Sequence, residues 1–519
     1  MPTALRGSPC HEHVDRLRRW DRNVKLVCIL FAAAIALGAC SSSSTPSTAS
    51  SSLGAALPKC ADDQSWRCGT VNVPLDRANP AAGTITIAFF IQSHTDMRKP
   101  GLEPIFVSPG GPGASIWADH NYVPIQMWQA DHDTVLIEPR GVGRSGAILC
   151  TELQVGVSTI ADLRAATADC GRQLGPAADR YGSGDVALDI EDVRKSIGVA
   201  SFDFYAASYG TIAEQAYVTR FSKRVHAAVL DSAFPAIDEA RSYALSIGYL
   251  AGWVRALRLI CQRSAECASS YPRPQDLIDW LVRRVASRHI RGSVAGTAGQ
   301  IVVDEAAVEV LLASFGPSSY QLHAKTLLDA AAALESGDPG PILQLVSQWS
   351  PVAGQSADPA SFSNGDNAAA SCNDQDFPWD RTDSVAQREK KLAAAYAALP
   401  KNTFDPFTTT GWAAGNISPD TCITWPTPSR FEPMILPGAT FPPLPTLIVS
   451  GDEDTTVPEE ISRALLAEFP GAIFLIVAGA GHDAAAPASF WGTSCGGHEV
   501  ATFFETLRAD PAACVTFAG

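Results

Sequence analysis

Residues 204–211 read FYAASYGT, and how they are read decides the fold. Large apolar side chains give way to Ala206, Ala207, Ser208, Tyr209 and Gly210, and TIAEQAYVTRF (211–221) follows with helix-like spacing. A strand that turns sharply into a helix crowds its own junction, so the positions two before and two after the central residue must be small. Ala206 and Gly210 meet that need, with Ala where the commoner G-x-S-x-G form has Gly. Such a turn strains the backbone at Ser208 and lifts its side chain above the sheet, where a nucleophile is useful. Alone, A-x-S-x-G is a weak signal, because a serine in an ordinary turn looks the same.

The flanking sequence repeats the strand-then-turn form. GTITIAFFIQS (83–93) alternates, and EPIFVSPGGPG (103–113) and DTVLIEPRGVGRSG (133–146) are apolar runs that end in Gly-rich loops. DVALDIEDVRKSIG (185–198) has helical spacing with a terminal Gly, FDFYAAS (202–208) is a strand, and VHAAVLDSA (225–233) is another. Strands alternating with helices predict an α/β fold with a doubly wound, mostly parallel sheet. Beyond Pro235 the chain turns Ala- and Leu-rich, as in AKTLLDAAAALESG (324–337). Strand character returns in LPTLIVSGDEDTTVP (444–458), followed by a helix at EEISRALLAEF (459–469) and a strand at AIFLIVAGAGHD (472–483). The expected organisation is a core at 58–235, a mainly helical cap at 236–430 and the rest of the core at 431–519.

A serine nucleophile needs a base, and the base needs an orienting carboxylate. In a sheet of this kind the chain order is Ser, then Asp or Glu, then His. Asp454 in SGDEDTTVP and His482 in GAGHD fit that order, each just beyond a predicted strand end, where open parallel sheets build their sites. Asp452 and Glu453 are expected to be solvated turn carboxylates. His498, the rival base, is expected in a Cys-flanked loop with no strand before it. SPGGPG (108–113) is a loop whose N–H groups can approach a developing oxyanion without side-chain clash. Pro112 has no N–H, so Gly111 and Tyr209 are the predicted oxyanion donors.

With 519 residues, 46% hydrophobic and 18% charged, the composition is globular, and the net charge of −15 argues against nucleic-acid binding. Residues 16–25, RLRRWDRNVK, are basic, and 26–39, LVCILFAAAIALGA, are apolar but short for a bilayer span. Residues 1–39 read as a secretory signal whose LGAC end is similar to a bacterial lipobox, with Cys40 as the lipidated residue. The Ser/Thr-rich segment at 40–57 reads as a flexible tether. An exported protein, lipid-anchored to the outer face of the cell membrane, is the expectation. Of 13 Cys, ten remain beyond Cys40, an even set that suits disulfides in an oxidising compartment. The simplest pairing joins neighbours: Cys60–Cys68, Cys150–Cys170, Cys261–Cys267, Cys372–Cys422 and Cys495–Cys514. No Cys or His cluster has zinc spacing, so no metal is expected.

Together SPGGPG, EPRGVGRSG, DFYAASYGTIAEQAYVTRF, VHAAVLDSA, GDEDTTVP and GAGHD resemble the exported α/β-hydrolase peptidases of the prolyl aminopeptidase and tripeptidyl aminopeptidase group. Pro109 stands where that group's pattern has His, as in its tripeptidyl branch, and Glu138 stands where the pattern has Asp. The resemblance implies an α/β-hydrolase fold and serine-dependent release of residues or short peptides from a peptide substrate with a free N-terminus, with no cofactor. An exopeptidase must also bind a substrate ammonium, for which carboxylates of the cap are suited. Asp374 and Asp376, in SCNDQDFPWD (371–380), are the candidates. A carboxylesterase or lipase acting on envelope lipids, or a serine endopeptidase, would use the same three side chains.

Overall fold

Buried strands at the centre of a parallel sheet need apolar residues on both faces, and the runs IFVS, TVLI, FDFYAA and TLIVSG supply them. The computed structural model describes residues 52–98, 100–157, 160–236, 247–297, 299–314, 324–349, 358–416, 418–427, 432–486 and 494–516. The 1–39 leader, Cys40 and the tether up to residue 51 lie outside these. Eight strands form one sheet: β1 (Arg67–Pro74), β2 (Thr84–Gln92), β3 (Ile105–Ser108), β4 (Thr134–Ile137), β5 (Phe202–Ala207), β6 (Val225–Asp231), β9 (Thr446–Gly451) and β10 (Ile473–Val477). A separate antiparallel hairpin, β7 (Ile290–Gly292) and β8 (Ile301–Val303), lies in the cap. The sheet order is β1-β2-β4-β3-β5-β6-β9-β10, antiparallel from β1 through β2 to β4 and parallel from β4 onward. This is the α/β-hydrolase fold.

Alternation along each strand divides the core between two faces. Phe106, Phe204, Leu230 and Ile448 join Ile212, Ala216 and Tyr217 of the helix Gly210–Phe221 on one face. Ile105, Val107, Tyr205, Val229 and Leu447 join Phe503 and Phe504 of the helix Ser494–Thr506 on the other. The first cluster runs on into the cap without a break, through Trp253, Leu281, Leu327 and Trp412. A third cluster centres on the helices Ile160–Leu174 and Asn364–Asp374, with Cys150, Cys170, Cys372, Cys422 and Trp425 within it.

The ten described cysteines pair as neighbours, Cys60–Cys68, Cys150–Cys170, Cys261–Cys267, Cys372–Cys422 and Cys495–Cys514. Three local expectations need correction. The single helix expected over 459–469 is two short ones, Glu459–Ser462 and Leu465–Glu468. Between and within them the N–H groups of Ala464, Leu466 and Ala467 bond to carbonyls three residues back, which tightens the ladder and interrupts it. His498 is not in a loop; it is exposed on the helix Ser494–Thr506. Asp452 and Glu453 are buried and both pair with Arg263, whose guanidinium reaches in from the cap helix Ile247–Arg263. Among the described residues no helix is long and apolar enough to cross a membrane.

Candidate active site

β5 ends at Ala207, and the next residue, Ser208, takes φ +54°, a left-handed backbone that non-glycine residues rarely adopt. Neighbouring groups hold it there. Ser208 N donates to Asp231 O at the end of β6 at 2.8 Å, and the Thr211 hydroxyl donates to Ser208 O at 2.6 Å. The junction is as crowded as the spacing implied. A Cβ on Gly210 would stand 2.3 Å from Pro109 O, and one on Gly110 would stand 2.7 Å from Ser208 Cβ. The SPGGPG loop therefore lies directly against the turn at Ser208.

The structure brings the three predicted side chains together. Ser208 Oγ is 2.8 Å from His482 Nε2, and His482 Nδ1 is 3.0 Å from Asp454 Oδ2. Asp454 is fully buried, and its other oxygen accepts the N–H groups of Thr456 and Val457 at 2.8 Å each. Those bonds fix the carboxylate, which in turn fixes the imidazole tautomer with its proton on Nδ1. Burial of the imidazole disfavours its charged form, but Asp454, Asp483 and Asp231 outweigh this and raise its pKa to about 9.

The end of β6 anchors the His482 loop, a part of the site that sequence reasoning missed. Asp231 accepts the N–H groups of Ala484 and Ala485 at 2.9 Å and the Tyr205 hydroxyl at 2.9 Å. Ser232 Oγ accepts the Asp483 N–H at 2.8 Å. The available signal was a polar Asp-Ser pair closing the otherwise apolar run VHAAVLDSA.

Gly111, at φ +114°, uses a backbone open only to glycine, and Tyr209 stands at the start of the helix Gly210–Phe221. The cap helix Asn364–Asp374 holds the Gly111 loop. Asn367 Nδ2 donates to Pro112 O at 2.9 Å, and Ser363 N donates to Gly113 O at 2.8 Å. Glu138, in the second Gly-rich loop, accepts the Ser115 hydroxyl at 2.5 Å and the Arg144 N–H at 2.7 Å, joining that loop to the segment after SPGGPG. Arg140 is fully buried and bidentate to Asp189, with both contacts at 2.7 Å.

The two cap acids fare differently. Asp374 is buried, and its carboxylate already accepts Ser183 N at 3.0 and 2.9 Å, the Ser183 hydroxyl at 2.6 Å and the Tyr209 hydroxyl at 2.9 Å. It caps the helix Ser183–Ser196 rather than presenting itself to a ligand, because its lone pairs are used by protein donors. Asp376 is exposed beside Phe377, Trp379 and Arg381, in a pocket that Ser208, Asp454 and His482 do not line. Asp366 is a cap acid that borders the SPGGPG loop. It is 3% exposed and lines a pocket with Gly110, Pro112, Tyr181 and Tyr209, which Ser208, Asp454 and His482 do not line either, and burial raises its carboxyl well above the usual range.

Residues 103–255 match the family model described as alpha/beta hydrolase fold, and residues 410–514 match the one described as TAP-like protein. The chain is 25% identical over 446 residues to a tripeptidyl aminopeptidase of Streptomyces lividans, covering 78% of this chain and 75% of that protein. It is 25% identical over 445 residues to the serine protease Hip1 of Mycobacterium tuberculosis, covering 78% and 79%. Among solved structures it is similar to a bromoperoxidase from Bacillus anthracis, at 12% identity and a TM-score of 0.32, covering 84% of this chain and 99% of that one. The fold, the two family models and the curated relatives together define a hydrolase of the α/β-hydrolase class. Within that class the matches support the tripeptidyl aminopeptidase group.

Proposed function

We propose that the protein is a serine peptidase that removes short peptides from a free N-terminus. The reading is carried by the Asp454–His482–Ser208 array. It is supported by the relatives, one named a tripeptidyl aminopeptidase and another a serine protease. Ser208 attacks the substrate carbonyl while His482 Nε2 takes its proton. The new Ser208 Oγ–carbon bond forms a tetrahedral intermediate whose oxyanion is met by the N–H groups of Gly111 and Tyr209. His482 then passes the proton to the leaving amine as the carbon–nitrogen bond breaks, and water repeats the sequence on the acyl-enzyme. Asp454 keeps the imidazole oriented and stabilises its charged form.

Asp366, in the pocket it shares with Gly110 and Tyr209, is the cap acid this reading offers to a substrate ammonium. A charged ligand would draw its carboxyl into the ionised form that burial otherwise disfavours. Mature protein anchored through Cys40 would work at the outer face of the cell membrane. The leader sequence and the five disulfides support that placement.

The test is a panel of tripeptidyl and aminoacyl chromogenic amides, each with a free and a blocked N-terminus, run beside short-chain esters. Amide turnover that disappears on blocking supports the reading. Ester turnover with no amide turnover assigns the protein to the carboxylesterases instead, and equal cleavage of blocked and free amides makes it an endopeptidase.

A further inference from the structure

A second carboxylate stands beside His482, and the scheme above gives it no task. Asp483 Oδ1 lies 3.7 Å from His482 Nε2, on the same ring nitrogen that faces Ser208. The Asp483 side chain is 23% exposed, and Oδ1 is buried with no hydrogen-bond partner among the described residues. Its placement is enforced. Asp483 takes φ +58°, and its N–H is bound by Ser232 Oγ at 2.8 Å. Asn or Gly would serve that left-handed backbone as well as Asp does, so the conformation does not explain the charge.

We propose that Asp483 is a second anionic partner of His482, set against Nε2 as Asp454 is set against Nδ1, and that it stabilises the imidazolium while the proton is in transit from Ser208 to the leaving group. It is a positioning residue and takes no proton. In the neutral, active form of His482, Nε2 presents a lone pair to Ser208, so a carboxylate at 3.7 Å gains nothing from it. Once Nε2 carries the proton, the same carboxylate faces a cation. An interaction that strengthens only as charge develops lowers the barrier rather than merely tightening the ground state. The cost falls on the acid side, because the imidazolium of the free enzyme is stabilised too and must lose its proton before the serine can be activated.

Other charges also face this ring. Asp454 lies on Nδ1, and Asp231, at the end of β6 and bound to the Ala484 and Ala485 N–H groups, also favours the charged ring. Asp119, from the segment after SPGGPG, and Asp483 repel each other, and His120 offsets this at Asp119. Burial and Asp483 raise the Asp119 carboxyl to about 6, and burial also raises that of Asp483, opposed by His482.

The proposal rests on His482 being the base, which the loss of activity in Ser208→Ala and His482→Gln tests separately. The direct experiment is an NMR titration of the ¹⁵N-histidine-labelled full chain, with the His482 signals assigned by their absence in His482→Gln. It compares wild type with Asp483→Asn, Asp483→Gly and Asp483→Glu. Asn and Gly both suit the backbone, so one folded neutral variant is enough. The midpoint of His482 should fall by about one unit in the neutral variants and stay near wild type in Asp483→Glu. The acidic limb of kcat/KM should move to lower pH by the same amount, with kcat reduced more than KM is changed. An unchanged His482 midpoint in the neutral variants overturns the proposal, as does a fall of the same size in Asp483→Glu.

Discussion

The Tyr209 hydroxyl donates to Asp374 Oδ2 at 2.9 Å, across 165 residues of chain. The residue after the nucleophile is thereby tied to the last residue of a cap helix, Asn364–Asp374, whose first residues hold the Gly111 loop. One helix thus sets both predicted oxyanion donors. Asp374→Ala would leave buried Ser183 N–H and hydroxyl groups and the Tyr209 hydroxyl without their acceptor. Each buried donor left unsatisfied costs roughly 1–3 kcal/mol, so with three of them a loss of at least about 3 kcal/mol is expected in denaturant unfolding. Turnover should fall equally for free and amine-blocked substrates. A selective loss on free-amine substrates would restore Asp374 as a ligand for the substrate ammonium.

Asp366 should behave in the opposite way. Asp366→Asn replaces a buried carboxyl that burial already raises well above the usual range, so stability should change little. KM for free-amine substrates should rise by about tenfold or more, as expected for losing a charge-assisted contact, while amine-blocked esters are unaffected. Steady-state kinetics on a matched substrate pair checks this.

Gly210 has no room for a side chain, since an added Cβ would meet two backbone oxygens, Pro109 O at 2.3 Å and Ser108 O at 2.6 Å. Backbone cannot move aside as a flexible side chain can. Gly210→Ala should therefore destabilise by about 1–3 kcal/mol through overpacking. It should also lower kcat by displacing Ser208 from His482. Activity at the wild-type level in that variant would contradict the crowded elbow.

Activity and stability should respond to pH in opposite directions. The base must be neutral, and His482 is raised to about 9 from the ordinary 6.5, so kcat/KM should climb through the alkaline range. A group whose pKa is raised on folding stabilises the fold fully below its unfolded value and loses that contribution as pH passes its folded value. For His482 that window runs from 6.5 to about 9. Burial raises Asp185, Asp203 and Asp231 from 3.8 to about 7, and their contributions fade over that lower window. Every one of these trends runs the same way. The thermal midpoint should be higher at pH 5 than at pH 9, while kcat/KM is higher at pH 9.

Much of this could be read from the chain because local sterics wrote it there. The elbow needs small residues at 206 and 210, and apolar runs such as IFVS and TVLI mark strands buried on both faces. Asp454 and His482 are legible because each lies in the loop just beyond a strand, β9 ending at Gly451 and β10 at Val477. The edge strand β1, RCGTVNVP, escaped notice because only its partner β2 explains its alternation. The three-residue strands of the cap hairpin are too short to show any period. The capping role of Asp374 is not legible in sequence, which shows that an acid is present but not that Ser183 and Tyr209 surround it. Asp231 and Asp366 were missed for the same reason, since their meaning comes from chain segments far away.

The central claim is that Ser208 is the nucleophile activated by His482. Its most direct measurement is intact-protein and peptide mass spectrometry after treatment with a fluorophosphonate. A single stoichiometric adduct on Ser208 is expected in the wild type, with none in Ser208→Ala and labelling slowed by orders of magnitude in His482→Gln. An unmodified Ser208 in folded protein, or labelling at the wild-type rate without His482, would contradict it.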